Sequence, residues 1–299
     1  MNEVQPHILI IDDDDAIRAM LCDWLSDDYK VSAVSDGLKG IEFLKDCEVD
    51  LVISDINMPG INGFETLHRI RTSNPTQKCA LITDYDVDSY IRFALEEDIT
   101  NIIVKTSPFN VDELFKTIDN LINGDKIFGI QNYMLADTKI EENIITQTSD
   151  LDPVRESLIN FIEGKNSFLD ERSSSVRMIF EEIASNAIYH AHDYDKLQDV
   201  KLKDDEFVKV FYGVDKEKFG FSVLDQSGKL TKEIVLKKIL RAMSKDGVFD
   251  FSGRGLFLTR NFSDRVVINI ERNKQTEIIV LNYFNTDNKI NKPLYINQL

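Results

Sequence analysis

Four short apolar runs, each stopping on a residue with its own chemistry, constrain this chain more than anything else in it. Ile8-Leu9-Ile10-Ile11 ends on Asp12-Asp13, Leu51-Val52-Ile53-Ser54 on Asp55, Cys79-Ala80-Leu81-Ile82 on Thr83, and Ile102-Ile103-Val104 on Lys105. Such runs predict buried strands, and the helix-like stretches between them predict the crossovers of a parallel sheet. In an open α/β sheet, ligands collect outside the carboxyl ends of the strands. Three acids, a hydroxyl and an amine are therefore expected at one sheet edge, with Pro59-Gly60 turning the chain just after Asp55.

Carboxylates at that edge raise one another's pKa unless a cation neutralises them, and a hard divalent ion with oxygen ligands answers the need. Asp14-Asp15 fall at the N-terminal end of a helix carrying Ala16-Ile17, Met20-Leu21 and Trp24-Leu25 at helical spacing, where acids suit the dipole. Taken singly, Thr83 is a strand-end hydroxyl and Lys105 a solvated lysine. Taken with Asp12, Asp13, Asp55, Met58-Pro59 and Gly63, all in chain order, they make residues 1 to about 124 resemble the receiver domain of two-component response regulators.

That resemblance implies a doubly wound, five-stranded, flavodoxin-like sheet with Asp55 as phosphoacceptor. It implies Mg²⁺ on Asp12, Asp13, Asp55 and the main-chain carbonyl of Asn57, with Thr83 and Lys105 meeting the phosphoryl charge. It implies phosphorylation by a sensor histidine kinase or phosphotransfer protein. The chain departs from the family in three places. Asp84 follows Thr83 where a small residue is usual, Ile102 replaces a switching aromatic, and Lys105-Thr106 replaces the common Lys-Pro pair.

The chain of 299 residues is long enough for two domains. Its formal charge of -17 is uneven, for residues 1–124 hold 10 Lys and Arg against 24 Asp and Glu. Nucleic acid and anionic lipid are thus not expected as partners. Cys22, Cys47 and Cys79 lack metal-ligand spacing and suggest no disulfide framework. The start lacks the form of a signal peptide, and no apolar run is long enough to span a bilayer. A cytoplasmic protein is expected.

Val111, Leu114-Phe115, Ile118 and Leu121-Ile122 predict the helix that closes the first domain, and Asn123-Gly124 ends it. Residues 125–137 are irregular and are expected to be a linker, one whose Ile127-Phe128 and Tyr133-Met134-Leu135 should pack against something. Beyond it comes a predicted strand at 138–148, a helix opened by Asp152-Pro153, and a helix over about 171–190 that holds Glu182 and Asn186 on one face. Strands at 207–211 and 220–224, the turn Asp225-Gln226-Ser227-Gly228-Lys229, a helix at 231–243, Ser252-Gly253-Arg254-Gly255-Leu256 and two more strands follow, with 291–299 expected as a tail. The four histidines are His7, His68, His190 and His192. None lies in the acidic, Pro-followed motif of a phosphorylated histidine, so a self-phosphorylating kinase is not expected, and His190 and His192 read as structural.

The order of helix motif, Asp turn and Gly-x-Gly-Leu turn resembles the ATPase domain of the histidine-kinase and chaperone superfamily, in particular the anti-sigma-factor serine kinases. It implies an α/β sandwich over 138–290 that binds ATP. In those roles Asn186 holds Mg²⁺ beside the phosphates, Glu182 takes a proton from an attacking hydroxyl, and Asp225 accepts from the adenine amino group. Gly228, Gly253, Arg254 and Gly255 line the nucleotide. Ser227 and Lys229 stand where that family has glycine, and a Cβ at Ser227 is expected to crowd the base. The implied partner is an anti-sigma-factor antagonist or a sigma factor, and the implied assembly a homodimer. Without the surrounding motifs, Glu182 and Asn186 would read as an exposed polar helix face, and the rival reading keeps the fold as a nucleotide-free interaction module in which the changes at Ser227 and Lys229 mark lost catalysis.

Overall fold

Every residue of β1 (His7–Ile11) and β3 (Leu51–Asp55) is buried, so a sheet built from them needs cover on both faces. The computed structural model describes residues 5–83, 102–105, 109, 111–124, 127–165, 172–195, 198–243, 254–284 and 294–298. In it these strands join β2 (Lys30–Val34), β4 (Cys79–Thr83) and β5 (Ile102–Val104) in a parallel sheet of order β2-β1-β3-β4-β5. Strand alternation sorts the cover. Leu9, Ile11 and Val52 pack with Ile41 and Leu44 of α2 (Gly37–Asp46) and with Phe64, Leu67 and Ile70 of α3 (Gly63–Ser73). Ile8, Ile10 and Ile53 pack with Leu21 and Leu25 of α1 (Asp15–Leu25) and with Leu114 and Ile118 of α4 (Val111–Asn123).

Each of those side chains that is fully buried contributes about 1.5–3 kcal/mol, which seats the helices firmly. Asp14 caps α1, accepting from the amides of Ala16 at 2.7 Å and Ile17 at 3.2 Å. The Ile17 and Ala16 amides hold its carboxyl below the usual range. The strand order reverses between β1 and β3, the point at which an open sheet leaves room for a ligand.

The chain divides into two compact units, Met1–Lys126 and Ile127–Leu299. The second is a six-stranded sheet of order β11-β9-β10-β8-β7-β6. Its strands are β6 (Ile140–Ile145), β7 (Val208–Val214), β8 (Lys218–Asp225), β9 (Arg265–Glu271), β10 (Gln275–Tyr283) and β11 (Leu294–Gln298). All neighbours are antiparallel except β11 and β9. The described helices are α5 (Leu151–Glu163), α6 (Ser173–Tyr189), α7 (Lys232–Met243) and α8 (Arg254–Phe262). Helix α6 buries Val176, Ile179, Phe180, Ile183, Ala184, Ala187 and Ile188, with the Phe180 ring 6.2 Å from that of Phe221 on β8. That stripe fixes the rotation of α6 and leaves Glu182 and Asn186 at its margin.

Two expected boundaries move. The segment expected as a linker belongs, from Ile127 onward, to the second unit. Ile130, Tyr133 and Met134 pack with Val267, Ile279, Leu281 and Tyr295. The Gly129 amide donates to Glu277 Oε2 at 2.6 Å, and Asn269 Nδ2 donates to the Ile127 carbonyl at 2.5 Å. The apolar residues of this segment cover a sheet face that would otherwise expose Val267 and Ile279. The expected tail also changes, because Leu294–Gln298 is a strand paired from Leu294 opposite Val266. Its partner lies far back in the chain, so no local pattern announces the pairing.

Candidate functional site

Strand β3 delivers Asp55 to the sheet edge, and β1 ends one residue short of Asp12. Both carboxylates are buried, Asp12 at 0% and Asp55 at 5% exposure. Lys105, just past β5, joins them, with Nζ donating to Asp12 Oδ2 at 2.8 Å and to Asp55 Oδ1 at 2.6 Å. The remaining oxygens accept from main-chain amides, Asp12 Oδ1 from Asp14 at 2.9 Å and Asp55 Oδ2 from Asn57 at 2.8 Å. Burial pushes the Asp55 pKa up, against the pull of Lys105, and the Asp12 charge adds to the rise. For Lys105 burial opposes the charge, but the two carboxylates outweigh it and raise its pKa.

Thr83 is fully buried at the end of β4, and its carbonyl accepts from the Lys105 amide at 2.6 Å. Asp13 and Asn57 are exposed, and among the described residues no three His, Cys, Asp or Glu side chains gather as a metal cluster. The structure thus brings together Asp12, Asp55 and Lys105, with Thr83 on the neighbouring strand. Two carboxylates against one ammonium leave the centre short of positive charge. Mg²⁺ is commonly held by one or two carboxylates and completed by water, so the donor set fits that ion. Asp84 and Thr106 lie outside the described residues.

The second unit holds a cavity of about 230 Å³ whose wall includes Glu182, Asn186, Asp225, Gly255 and Thr276. Four of these five are the residues picked out by sequence, and they come from α6, β8 and α8. Asn186 Nδ2 donates to Glu182 Oε1 at 2.9 Å, so the pair one turn apart is joined. Gly255 presses on that pair, since a Cβ there would sit 2.0 Å from Glu182 Oε1. A side chain at 255 would therefore have to displace the Glu182 carboxylate from its place beside Asn186. Gly253 lies outside the described residues, as does the Arg254 side chain.

Asp225 is 9% exposed, and burial raises its pKa while Ser227 pulls it down. Ser227, expected to crowd a base, still lines the cavity but turns its hydroxyl onto Asp225 Oδ1 at 2.6 Å. Gly228 takes a φ of 55° and lies against the β9–β10 turn, where a Cβ would meet the Glu271 carbonyl at 2.3 Å. Its backbone makes the turn, and it is not in the cavity wall. Lys229 Nζ reaches Asp193 Oδ2 at 2.5 Å. His190, read as structural, lines the cavity, whereas His192 is buried beside Glu206 at 3.7 Å.

Sequence reasoning missed Thr276. It stands opposite Asp225 in the β8–β10 register, is 2% exposed, and its hydroxyl has no partner among the described residues. A hydroxyl opening a strand that continues Ile278-Ile279-Val280-Leu281 was the available signal.

Comparison with known proteins agrees with both halves of this geometry. The family model for the response regulator receiver domain matches residues 8–119, and that for the histidine kinase-like ATPase domain matches residues 146–281. The two-component response regulator ORR11 of Oryza sativa subsp. indica is 30% identical over 118 residues, covering 38% of this chain and 80% of its own. The chain belongs to the two-component response regulators, with a receiver domain followed by a histidine kinase-like ATPase domain.

The sensor histidine kinase TmoS of Ectopseudomonas mendocina is 25% identical over 62% of this chain. The transcriptional regulatory protein ZraR of Klebsiella oxytoca is 30% identical over 50% of it. The chain spans only 18% and 30% of those two proteins. Among solved structures, the chemotaxis response regulator CheY4 of Vibrio cholerae is 27% identical, covering 40% of this chain and 99% of its own, at a TM-score of 0.37. No described helix is long and apolar enough to cross a membrane.

Proposed function

We propose that phosphorylation of Asp55 controls an ATP-binding output domain that acts as a serine kinase on an anti-sigma-factor antagonist. Asp55 would attack the phosphorus of a sensor kinase's phosphohistidine, forming a P–O bond as the P–N bond breaks and the imidazole regains its proton. Lys105 would keep one hydrogen bond to Asp12 and turn the other to the phosphoryl oxygens, with the Thr83 hydroxyl as a second donor. Mg²⁺, held by Asp12 and Asp55 with Asp13 and the Asn57 carbonyl, would offset the added negative charge.

The observation that carries the output reading is the convergence of Glu182, Asn186, Asp225 and Gly255 on one cavity. Asp225 would accept from the adenine amino group, and Asn186 would hold Mg²⁺ against the phosphates. Glu182 would take the proton of the antagonist's serine hydroxyl as its oxygen bonds the γ-phosphorus and ADP leaves. The protein would work in the cytoplasm, as a homodimer. The test is transfer from γ-labelled ATP to a purified antagonist. Glu182→Ala should lose transfer while keeping nucleotide affinity, because a base acts only in the transition state. Unchanged transfer in that variant rejects the kinase assignment.

A further inference from the structure

Within the cavity, one residue departs from the family pattern and still makes an ordered set of bonds. Ser227 donates to Asp225 Oδ1 twice, from its amide at 2.9 Å and from its hydroxyl at 2.6 Å. The same hydroxyl oxygen accepts from the Lys229 amide at 3.3 Å. A hydroxyl that accepts one proton and owns one has its own proton free for Asp225. The relay runs from Lys229 N–H through Ser227 O–H to the carboxylate. A glycine at 227 could supply the amide alone.

We infer that Ser227 is a positioning residue for the carboxylate that recognises the base. Its two donors occupy Asp225 Oδ1 and fix the carboxylate plane, leaving Oδ2 with acceptor capacity for an exocyclic amino group. This rests on the adenine-nucleotide reading of the cavity. It also gives a buried carboxylate hydrogen bonds that pull its pKa down against burial and so favour the charged acceptor. The Gly228 amide adds a smaller pull in the same direction, and the His192 charge acts on Asp225 as well. The other ionisable groups on the cavity wall are Glu182 and His190 of α6, Lys229 in the turn, and Lys238 of α7. The Thr276 hydroxyl also lies on the wall, opposite Asp225, and makes no hydrogen bond to it among the described residues, so Ser227 is the hydroxyl that holds the carboxylate.

The test uses the full chain with Ser227→Ala and with Ser227→Thr, which keeps the hydroxyl. Two quantities are read: the pH midpoint of the Asp225 carboxyl by carbon NMR without nucleotide, and ATP affinity with Mg²⁺ across pH. In Ser227→Ala the midpoint should move to higher pH, and the acid limb of binding should move with it. On that limb ATP affinity should fall about tenfold, the order of one hydrogen bond to a charged group. Ser227→Thr should restore both. A merely structural role would weaken binding by one factor at every pH and leave the midpoint in place. An unmoved midpoint, with wild-type binding intact, overturns the role of Ser227 alone. A wild-type chain that binds no ATP at any pH overturns the nucleotide reading and this role together.

Discussion

The two units solve the burial of an aspartate in opposite ways. At the receiver edge Asp55 and Asp12 share one ammonium, that of Lys105, and still carry one negative charge in excess. In the second unit Asp225 is held by the Ser227 amide and hydroxyl, both neutral. Burial raises both pKa values, and only the compensation differs. A centre balanced by an ammonium can accept a transferred anion beside that cation. A centre balanced by fixed dipoles reads a hydrogen-bond donor. On the proposed function, one residue type would serve transfer in one unit and recognition in the other.

The comparison breaks most completely at Asp55. A small phosphodonor with Mg²⁺ should label the wild-type chain and leave Asp55→Asn unlabelled; full labelling of the variant would remove the receiver chemistry from that residue. At the second centre, Asn186→Ala should weaken Mg²⁺-dependent ATP binding about 10–100-fold. Calorimetric titration would read this, and unaltered affinity would take Asn186 out of the nucleotide site.

Lys105→Ala tests the cation itself. Breaking a buried ion pair costs about 3 kcal/mol, so the variant should unfold at lower temperature at neutral pH. The Asp55 pKa, already raised by burial, rises further without Lys105. The penalty is therefore present above that pKa and relieved as pH falls through it. Added Mg²⁺ should recover part of the loss. A deficit equal at all pH values would mean that Lys105 matters for packing rather than charge.

Glu277 offers the smallest effect. It is fully buried on the sheet face covered by residues 127–135, and burial raises its pKa, against the Gly129 amide. A raised carboxyl pKa gives stability that is present below the unfolded value and lost as pH rises through the folded one. Glu277→Gln keeps the acceptor for Gly129 and removes the charge. It should stabilise the protein by about 1 kcal/mol at neutral pH and by nothing in acid. Denaturant titration at both pH values would decide, and a loss at neutral pH would show that the charge is needed.

Much of this was legible because the signal is local. The four apolar runs name their own end residues, so Asp12, Asp55, Thr83 and Lys105 could be placed from sequence alone. The Glu182–Asn186 pair follows from helical spacing. What stayed hidden depends on contacts distant in the chain. Tyr133 looks like part of a linker until Val267 and Ile279 are seen beneath it. Leu294–Gln298 reads as a tail because its partner is β9. Ser227 reads as an eroded glycine, since only the folded turn aims its hydroxyl at Asp225. Thr276 is one hydroxyl in a strand until the register sets it opposite Asp225.

Thermal and denaturant unfolding of the full chain with ATP and Mg²⁺, before and after treatment with a phosphodonor, tests the joint claim of a phosphorylated input and a nucleotide-binding output. ATP at a hundred times its dissociation constant should stabilise the folded protein by about 2.7 kcal/mol. Phosphorylation of Asp55 should change the ATP affinity by a factor equivalent to about 1–3 kcal/mol, the usual size of coupling between sites. An unfolding curve that ignores ATP in both states would contradict the account at its centre.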